Sequence, residues 1–537
     1  MEGGLIVRTL VIPLVFLLRT GDAAETLELS NATIADINAA FDAGTLTSEK
    51  LVALCLARIA AFDEAGPKLN AILALNPKAL DEARALDRER KTKGRRSPLH
   101  GIPVVLKDNI DTADLPTTAG SFLLADSIPP DDAFIVKKFR EGGAIILAKL
   151  NMSEFASGAA MSSLGGASLN PHDVVRSPSG SSGGTGVAIA AGYAPVGIGT
   201  DTGGSIRGPS AANGIVGLKP THGLVSRDGI VPLALSFDTA GPMARHVYDV
   251  AMALGVLTGV DTADETTRKS EGKLETDYTK ALDAKALAGA RIGIARDFMG
   301  QDGETDWIVE ASLNAMRARG ATVVDVKFPK WLLDSREEFY RTIRYREFKS
   351  QIADYLATLG PGYPKTLAEL MERSKTVTSP RADGVVPNPV RWSLMEREEK
   401  SGTLADYDYL AVRDHLLPLM RAMIEGVMRS EKLDAIVYPT SPRRPGRADE
   451  DLGPSAPQPL SATNIANLTG FPDLIVPAGF TGRGLPVGLS FLGAAFSESR
   501  LLALGYAFEQ ATHAIRTPVN APPLAGETIT STEARTR

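Results

Sequence analysis

The chain has 537 residues, with 58 Lys+Arg against 64 Asp+Glu for a formal net charge of −6, and 44% of its residues are hydrophobic. These are ordinary globular proportions, which exclude a disordered, collagenous or coiled-coil chain. The mild acidity and the absence of a long basic run remove the electrostatic footprint expected of a nucleic-acid binder.

The N-terminus opens on Arg8 followed by nine apolar positions, Leu10 to Leu18, and then the small residues Ala23 and Ala24. That stretch is too short to cross a bilayer, which needs roughly 20 apolar residues. It has the order of a secretory signal, although Glu2, Pro13 and Arg19 depart from the pattern. The reading is therefore a signal peptide over 1–24 and a periplasmic or secreted protein, with a cytoplasmic one as the alternative. No later stretch reaches membrane-spanning length.

Helical spacing runs from Thr33 to Ala65, with Thr47-Ser48-Glu49 opening the second helix. Cys55 falls on the apolar face of that helix, so it reads as core; as the one cysteine it excludes an intrachain disulfide and a Cys-based metal site. Pro77 to Lys93 reads as a charged helix, Gly101 to Leu106 as a buried strand ending at Lys107, Phe134 to Gly143 as a helix, and Ala144 to Ala148 as a strand. Alternation of this kind indicates an α/β sheet. Between Ser157 and Arg227 the chain is dense in Gly and Ser, yet apolar runs at Val187–Ala191, Val196–Gly199 and Gly214–Leu218 read as strands. Further on come a helix at Trp307–Arg319, a strand at Ala321–Val326 and a charged helical section over about 335–430. Strands follow at Leu433–Tyr438, Leu474–Pro477 and Pro486–Leu492, then a helix at Glu498–Ala511.

None of the six histidines forms a short metal-ligand pair, and the GxGxxG and P-loop patterns are absent, so no metal and no cofactor are expected. Gly180-Ser181-Ser182-Gly183-Gly184 fits GxSxG with Ser182 at its centre. The nucleophile elbow that this pattern marks follows a hydrophobic strand, whereas Arg176-Ser177-Pro178-Ser179 makes a poor one. A second Gly-Ser cluster runs from Gly199 to Arg207. Glycines beside a serine let backbone N–H groups converge on an oxyanion. A serine nucleophile needs a base, and a buried lysine can act as one once desolvation lowers its pKa. By residue logic alone Lys107 is either that base or a surface charge at a strand end.

With these motifs in view, Lys107 in GIPVVLKDNI, Ser181 and Ser182 in SGSSGG, Ser205 in GTDTGGSIR and the GLKPT run at 217–221 resemble the amidase signature hydrolases. The similarity continues through Asn151–Phe155, Asp238–Arg245, Asn467–Pro472 and Gly484–Leu489, and covers roughly residues 33 to 515. The resemblance implies a single α/β domain over 25–537 with a large mixed central sheet flanked by helices and a helical insertion. It implies an amide hydrolase that cleaves a carboxamide C–N bond through an acyl-enzyme, without a cofactor. Lys107, Ser181 and Ser205 would be its catalytic triad, with a cis peptide at the bridging serine, Thr202, Gly203 and Gly204 its oxyanion N–H donors, and Met152, Phe155 and Ser182 its substrate contacts. The implied partner is a small-molecule or peptide amide, acted on by a monomer or homodimer. Alternatives are a protein like the catalytic component of the tRNA amidotransferases, working with partners, or an ester or carbamate hydrolase on the same triad. Ser179 stands where many members have glycine, and Asn213-Gly214 is more similar to the peptide amidase branch than to the amidotransferase components.

Overall fold

Eight of the apolar runs predicted as strands, joined by three that periodicity did not mark, line up in one sheet. The computed structural model describes residues 25–375, 389–448 and 461–531. The signal-peptide reading of 1–24 lies outside these.

In chain order the sheet strands are β1 (Ile72–Leu75), β2 (Pro103–Lys107), β3 (Ile145–Leu150), β4 (Val196–Asp201), β5 (Val216–Lys219) and β6 (Thr239–Ala244). They continue as β7 (Arg291–Ala295), β8 (Thr322–Val326), β9 (Ala435–Pro439), β10 (Asp473–Phe480) and β11 (Pro486–Leu492). Their spatial order is β8-β7-β9-β11-β10-β5-β6-β4-β2-β3-β1. Strands β3, β2 and β4 run parallel at one end, and β8, β7 and β9 at the other, while β11, β10, β5 and β6 join them through antiparallel pairs. Every residue of β2, β3, β4 and β5 is buried. Helices on both faces explain why such strands read as unbroken apolar runs rather than alternating ones.

The run Val187–Ala191 is a correction: it belongs to a helix, Gly183–Ala190, whose residues are all buried. A short apolar run cannot by itself distinguish a buried strand from a buried helix. Here Gly184 decides the packing, since its N–H donates to Asn151 O at 3.0 Å and a Cβ would collide with that carbonyl. Two of the unmarked strands have a reason in their composition. β6 is Thr-Ala-Gly-Pro-Met-Ala and β1 is only four residues long, so neither carries a β-branched signature.

Between β8 and β9 the chain is helical: Lys330–Thr358, Leu367–Ser374, Pro389–Glu399 and Leu417–Ser430. The long helix Lys330–Thr358 brings Tyr340 against Gly203 and stacks it on Phe237, ring centroids 5.5 Å apart. Cys55 is buried in the core, where desolvation pushes its thiol up to about 12. Among the described residues no helix is long and apolar enough to cross a membrane.

Candidate active site

Ligands of open α/β sheets bind beyond the carboxyl ends of the parallel strands. Strands β2 and β4 are parallel neighbours in the register Val104–Val196, Val105–Gly197 and Leu106–Ile198, which sets Lys107 beside Gly199 and Thr200. Lys107 is fully buried. Its Nζ lies within hydrogen-bond reach of Ser181 Oγ at 2.7 Å, Thr200 Oγ1 at 2.7 Å and Thr200 O at 3.3 Å. Burial pushes its pKa down from 10.5 to about 7, opposed by the negative charges of Asp201 and Asp238. An ammonium in this position loses its hydration shell without gaining a touching carboxylate, so the neutral amine is favoured.

Both Gly-Ser clusters lead directly into helices. The Gly180–Ser181 peptide is cis, and Ser182 precedes the helix Gly183–Ala190. Ser205 sits two residues before the helix Arg207–Asn213. The clusters are tied together where Ser182 N–H donates to Ser205 O at 3.1 Å. Ser182 Oγ donates to Thr200 O at 3.2 Å and accepts from Thr200 N at 3.3 Å. Ser179 adopts φ 61, in the left-handed region. Asn213 is buried, and its amide donates to Pro178 O and Pro209 O, which fastens the second helix to the first cluster.

Asp201 organises the turn that presents Ser205. Its carboxylate accepts from Gly204 N and Ile206 N, each at 2.9 Å, and pairs with Arg207. Burial alone would raise its pKa, but the Arg207 charge and hydrogen bonds more than offset that and hold it well below the usual carboxylate range. Arg207 also reaches Asp473 at 2.9 Å and Asn467 at 2.5 Å, so the strand end, the second helix and β10 share one buried ionic cluster. The Gly204 N–H, expected as an oxyanion donor, is therefore already given to Asp201. Thr202 is itself fixed by its hydroxyl, which donates to Asp238 Oδ1 at 2.5 Å.

Ser205 is half-buried and lines a cavity of about 480 Å³ together with Ser179, Gly203, Gly204, Arg443 and Thr463. Among the described residues no histidine lines it. Met152, Phe155 and Ser182, expected as substrate contacts, are buried and do not line this cavity. Phe155 packs edge-on against Phe348 with centroids 6.2 Å apart, and Ser182 is spent on Thr200. Thr200, Asn109, Asp201 and Arg207 carry much of the site's geometry; all four lie within the GIPVVLKDNI and GTDTGGSIR runs, yet none was given a role of its own from the sequence. Their placement at strand ends beside Lys107 was the available signal. Among the described residues no cluster of His, Cys, Asp or Glu is arranged to hold a metal ion.

A buried strand-end lysine, a serine hydroxyl 2.7 Å from its amine and a glycine-flanked serine at a cavity come together at this place in the fold. The family described as Amidase matches residues 50–502, and the chain belongs to that family. It is an amide hydrolase of the amidase signature type, built as one domain on a large mixed sheet. The native peptide amidase of Stenotrophomonas maltophilia is 39% identical with a TM-score of 0.84, the match covering 92% of this chain and 99% of that one. An amidase family protein of Bacillus anthracis is 34% identical with a TM-score of 0.81, over 91% of this chain and 92% of that one. A glutamyl-tRNA(Gln) amidotransferase component from Halorhodospira halophila is 37% identical over 495 residues, 89% of this chain and 97% of that protein.

Proposed function

We propose that this protein hydrolyses linear carboxamides, peptide amides among them, with Ser205 as nucleophile, Ser181 as proton bridge and Lys107 as base. The observation that carries the reading is the 2.7 Å contact between the buried Lys107 amine and Ser181 Oγ, behind the cavity that Ser205 lines. In the reaction the Ser205 Oγ attacks the amide carbon while its proton passes to Ser181, and the Ser181 proton passes to Lys107. The oxyanion lies against the N–H groups of Thr202 and Gly203, each worth roughly 2.7–4 kcal/mol in the transition state. Collapse breaks the C–N bond, and the Lys107 proton returns through Ser181 to the departing ammonia or amine. Water then releases the acid from Ser205 by the same relay run on the ester.

The cavity sets Ser177, Ser179, Ser441, Ser461 and Thr463 beside Ala211, Ala212, Pro442 and Val487, a mixed lining that suits an acyl group bearing polar groups better than a plain fatty chain. The test is a panel of peptide amides, aryl anilides, fatty amides and esters, read for released amine or alcohol, with Ser205→Ala as the blank. Turnover of a peptide amide by the pure protein, lost in Ser205→Ala, is the expected result. Turnover that survives in Ser205→Ala overturns the assignment.

A second reading rests on the amidotransferase relatives: one component of a larger assembly, which passes ammonia to a partner. Amide hydrolysis that appears only when partner proteins are added would favour it. The signal-like residues 10–18 support export from the cytoplasm. N-terminal sequencing of the protein from its own cell should begin near residue 25, and a start at Met1 would refute export.

A further inference from the structure

Three oxygens surround Lys107 Nζ: Ser181 Oγ at 2.7 Å, Thr200 Oγ1 at 2.7 Å and Thr200 O at 3.3 Å. Three is the number of hydrogens on an ammonium, whereas a neutral amine has two hydrogens and a lone pair. The site therefore has an acceptor for each hydrogen of the charged form, although burial favours the neutral one. We propose that Thr200, steadied by Asn109, is a positioning residue that completes a three-oxygen seat for the Lys107 ammonium formed when the nucleophile's proton arrives. This rests on the Ser205–Ser181–Lys107 reading above.

The geometry around Thr200 supports the role. Its backbone is held from behind by the two Ser182 hydrogen bonds. Its hydroxyl oxygen also accepts from Asn109 Nδ2 at 3.1 Å. The same Nδ2 donates to Val231 O at 3.4 Å, and a carbonyl can only accept, so the amide is oriented with its N–H groups toward Thr200. Thr200 Oγ1 keeps one lone pair, and Lys107 is the donor in line with it. When Ser181 gives up its proton, the new ammonium returns one N–H to Ser181 and places the other two on Thr200. In a site closed off from bulk solvent, hydrogen bonds to a forming charge are worth most. The carboxylates that act on Lys107 from its surroundings are Asp201, at the end of β4, and Asp238, just before β6.

Thr200→Val keeps the β-branched shape that the strand packs around and removes only the hydroxyl. The test measures the rate at which a fluorophosphonate labels Ser205, as a function of pH, in the wild type, Thr200→Val and Thr200→Ser, with Ser205→Ala as blank. Losing one hydrogen bond to a charged group should slow labelling roughly 10- to 100-fold and move its acidic limb about one to two pH units lower. Thr200→Ser should restore both. Slower labelling with an unmoved limb means that Thr200 acts only on structure and overturns the inference, as does a limb that moves upward or a Thr200→Val protein that labels like the wild type. If Thr200→Val does not fold, Thr200→Ala is read the same way. Labelling that persists in Ser205→Ala overturns the triad itself, an outcome distinct from failure of the Thr200 seat.

Discussion

Asp201 and Arg207 grip each other across the turn that carries Ser205, with Nη2 to Oδ1 at 3.0 Å and Nε to Oδ2 at 3.1 Å, both side chains fully buried. The same carboxylate takes the N–H groups on either side of Ser205, from Gly204 and Ile206. Removing one partner of a buried ion pair leaves an uncompensated charge, at a cost of about 3–5 kcal/mol. Asp201→Ala should therefore lose on the order of 3 kcal/mol in denaturant unfolding, and hydrolysis should fall further because the Ser205 turn loses its anchor. Arg207 retains Asp473, which limits the damage. An unchanged unfolding midpoint would show that the pair does not hold the turn.

Lys107 sets both the pH dependence and a stability cost. Below about pH 7 it takes up a proton and ceases to be a base, so kcat/KM should fall about tenfold per pH unit on the acid side. The unfolded chain holds that proton up to about 10.5, the folded one only to about 7, so the unfolded state binds more protons between these values. Stability in wild type then rises with pH through that window. Lys107→Met removes the penalty. The variant should be inactive yet more stable at pH 7, by an amount on the order of a few kcal/mol, shrinking as pH approaches 10. Equal melting curves at pH 7 would mean that the lysine is not held neutral.

Gly203 has no room for a side chain, because a Cβ would strike the Tyr340 hydroxyl and lie 2.8 Å from its Cζ. Gly203→Ala should displace the oxyanion turn and cost about 100-fold or more in kcat, comparable to losing one N–H donor. Adding Tyr340→Ala should recover part of that loss. If the double variant is no better than the single one, the alanine acts on the backbone and not through Tyr340.

Ser182 is the centre of the GxSxG pattern, but its hydroxyl is spent on both backbone groups of Thr200. Ser182→Ala should retain measurable turnover, with a stability loss of about 1 kcal/mol for the hydrogen bonds removed. Ser205→Ala should abolish turnover. Covalent labelling is the direct check: a serine-directed reagent that modifies Ser182 in the wild type would restore the elbow reading.

Much of the fold was legible because its strands are buried on both faces and so appear as plain apolar runs. β11, at Pro486–Leu492, matches its predicted bounds. The helix at Val187–Ala191 was misjudged because so short an apolar run carries no period, and its identity depends on Gly184 meeting the Asn151 carbonyl. β6 was missed because Thr-Ala-Gly-Pro-Met-Ala has one strand former, Thr239, beside a glycine and a proline; its pairing with β4 and β5 imposes the conformation.

Local sequence determined the chemistry on offer: a lysine closing an apolar strand, and two serines framed by glycines that free the backbone. Among the described residues the fold buries three lysines completely, Lys107, Lys149 and Lys219, and the resemblance carried by GIPVVLKDNI singled out the first. Tertiary structure shows what each of them touches. Lys149 faces Asp108 at 3.4 Å and donates to Thr117 Oγ1, and Lys219 donates to the carbonyls of Pro220 and Phe471. Lys107 alone of the three meets Ser181. A lysine becomes a base through what desolvates it and which hydroxyl lies within hydrogen-bond reach, and both are set by residues 74 and 93 positions away, Ser181 and Thr200.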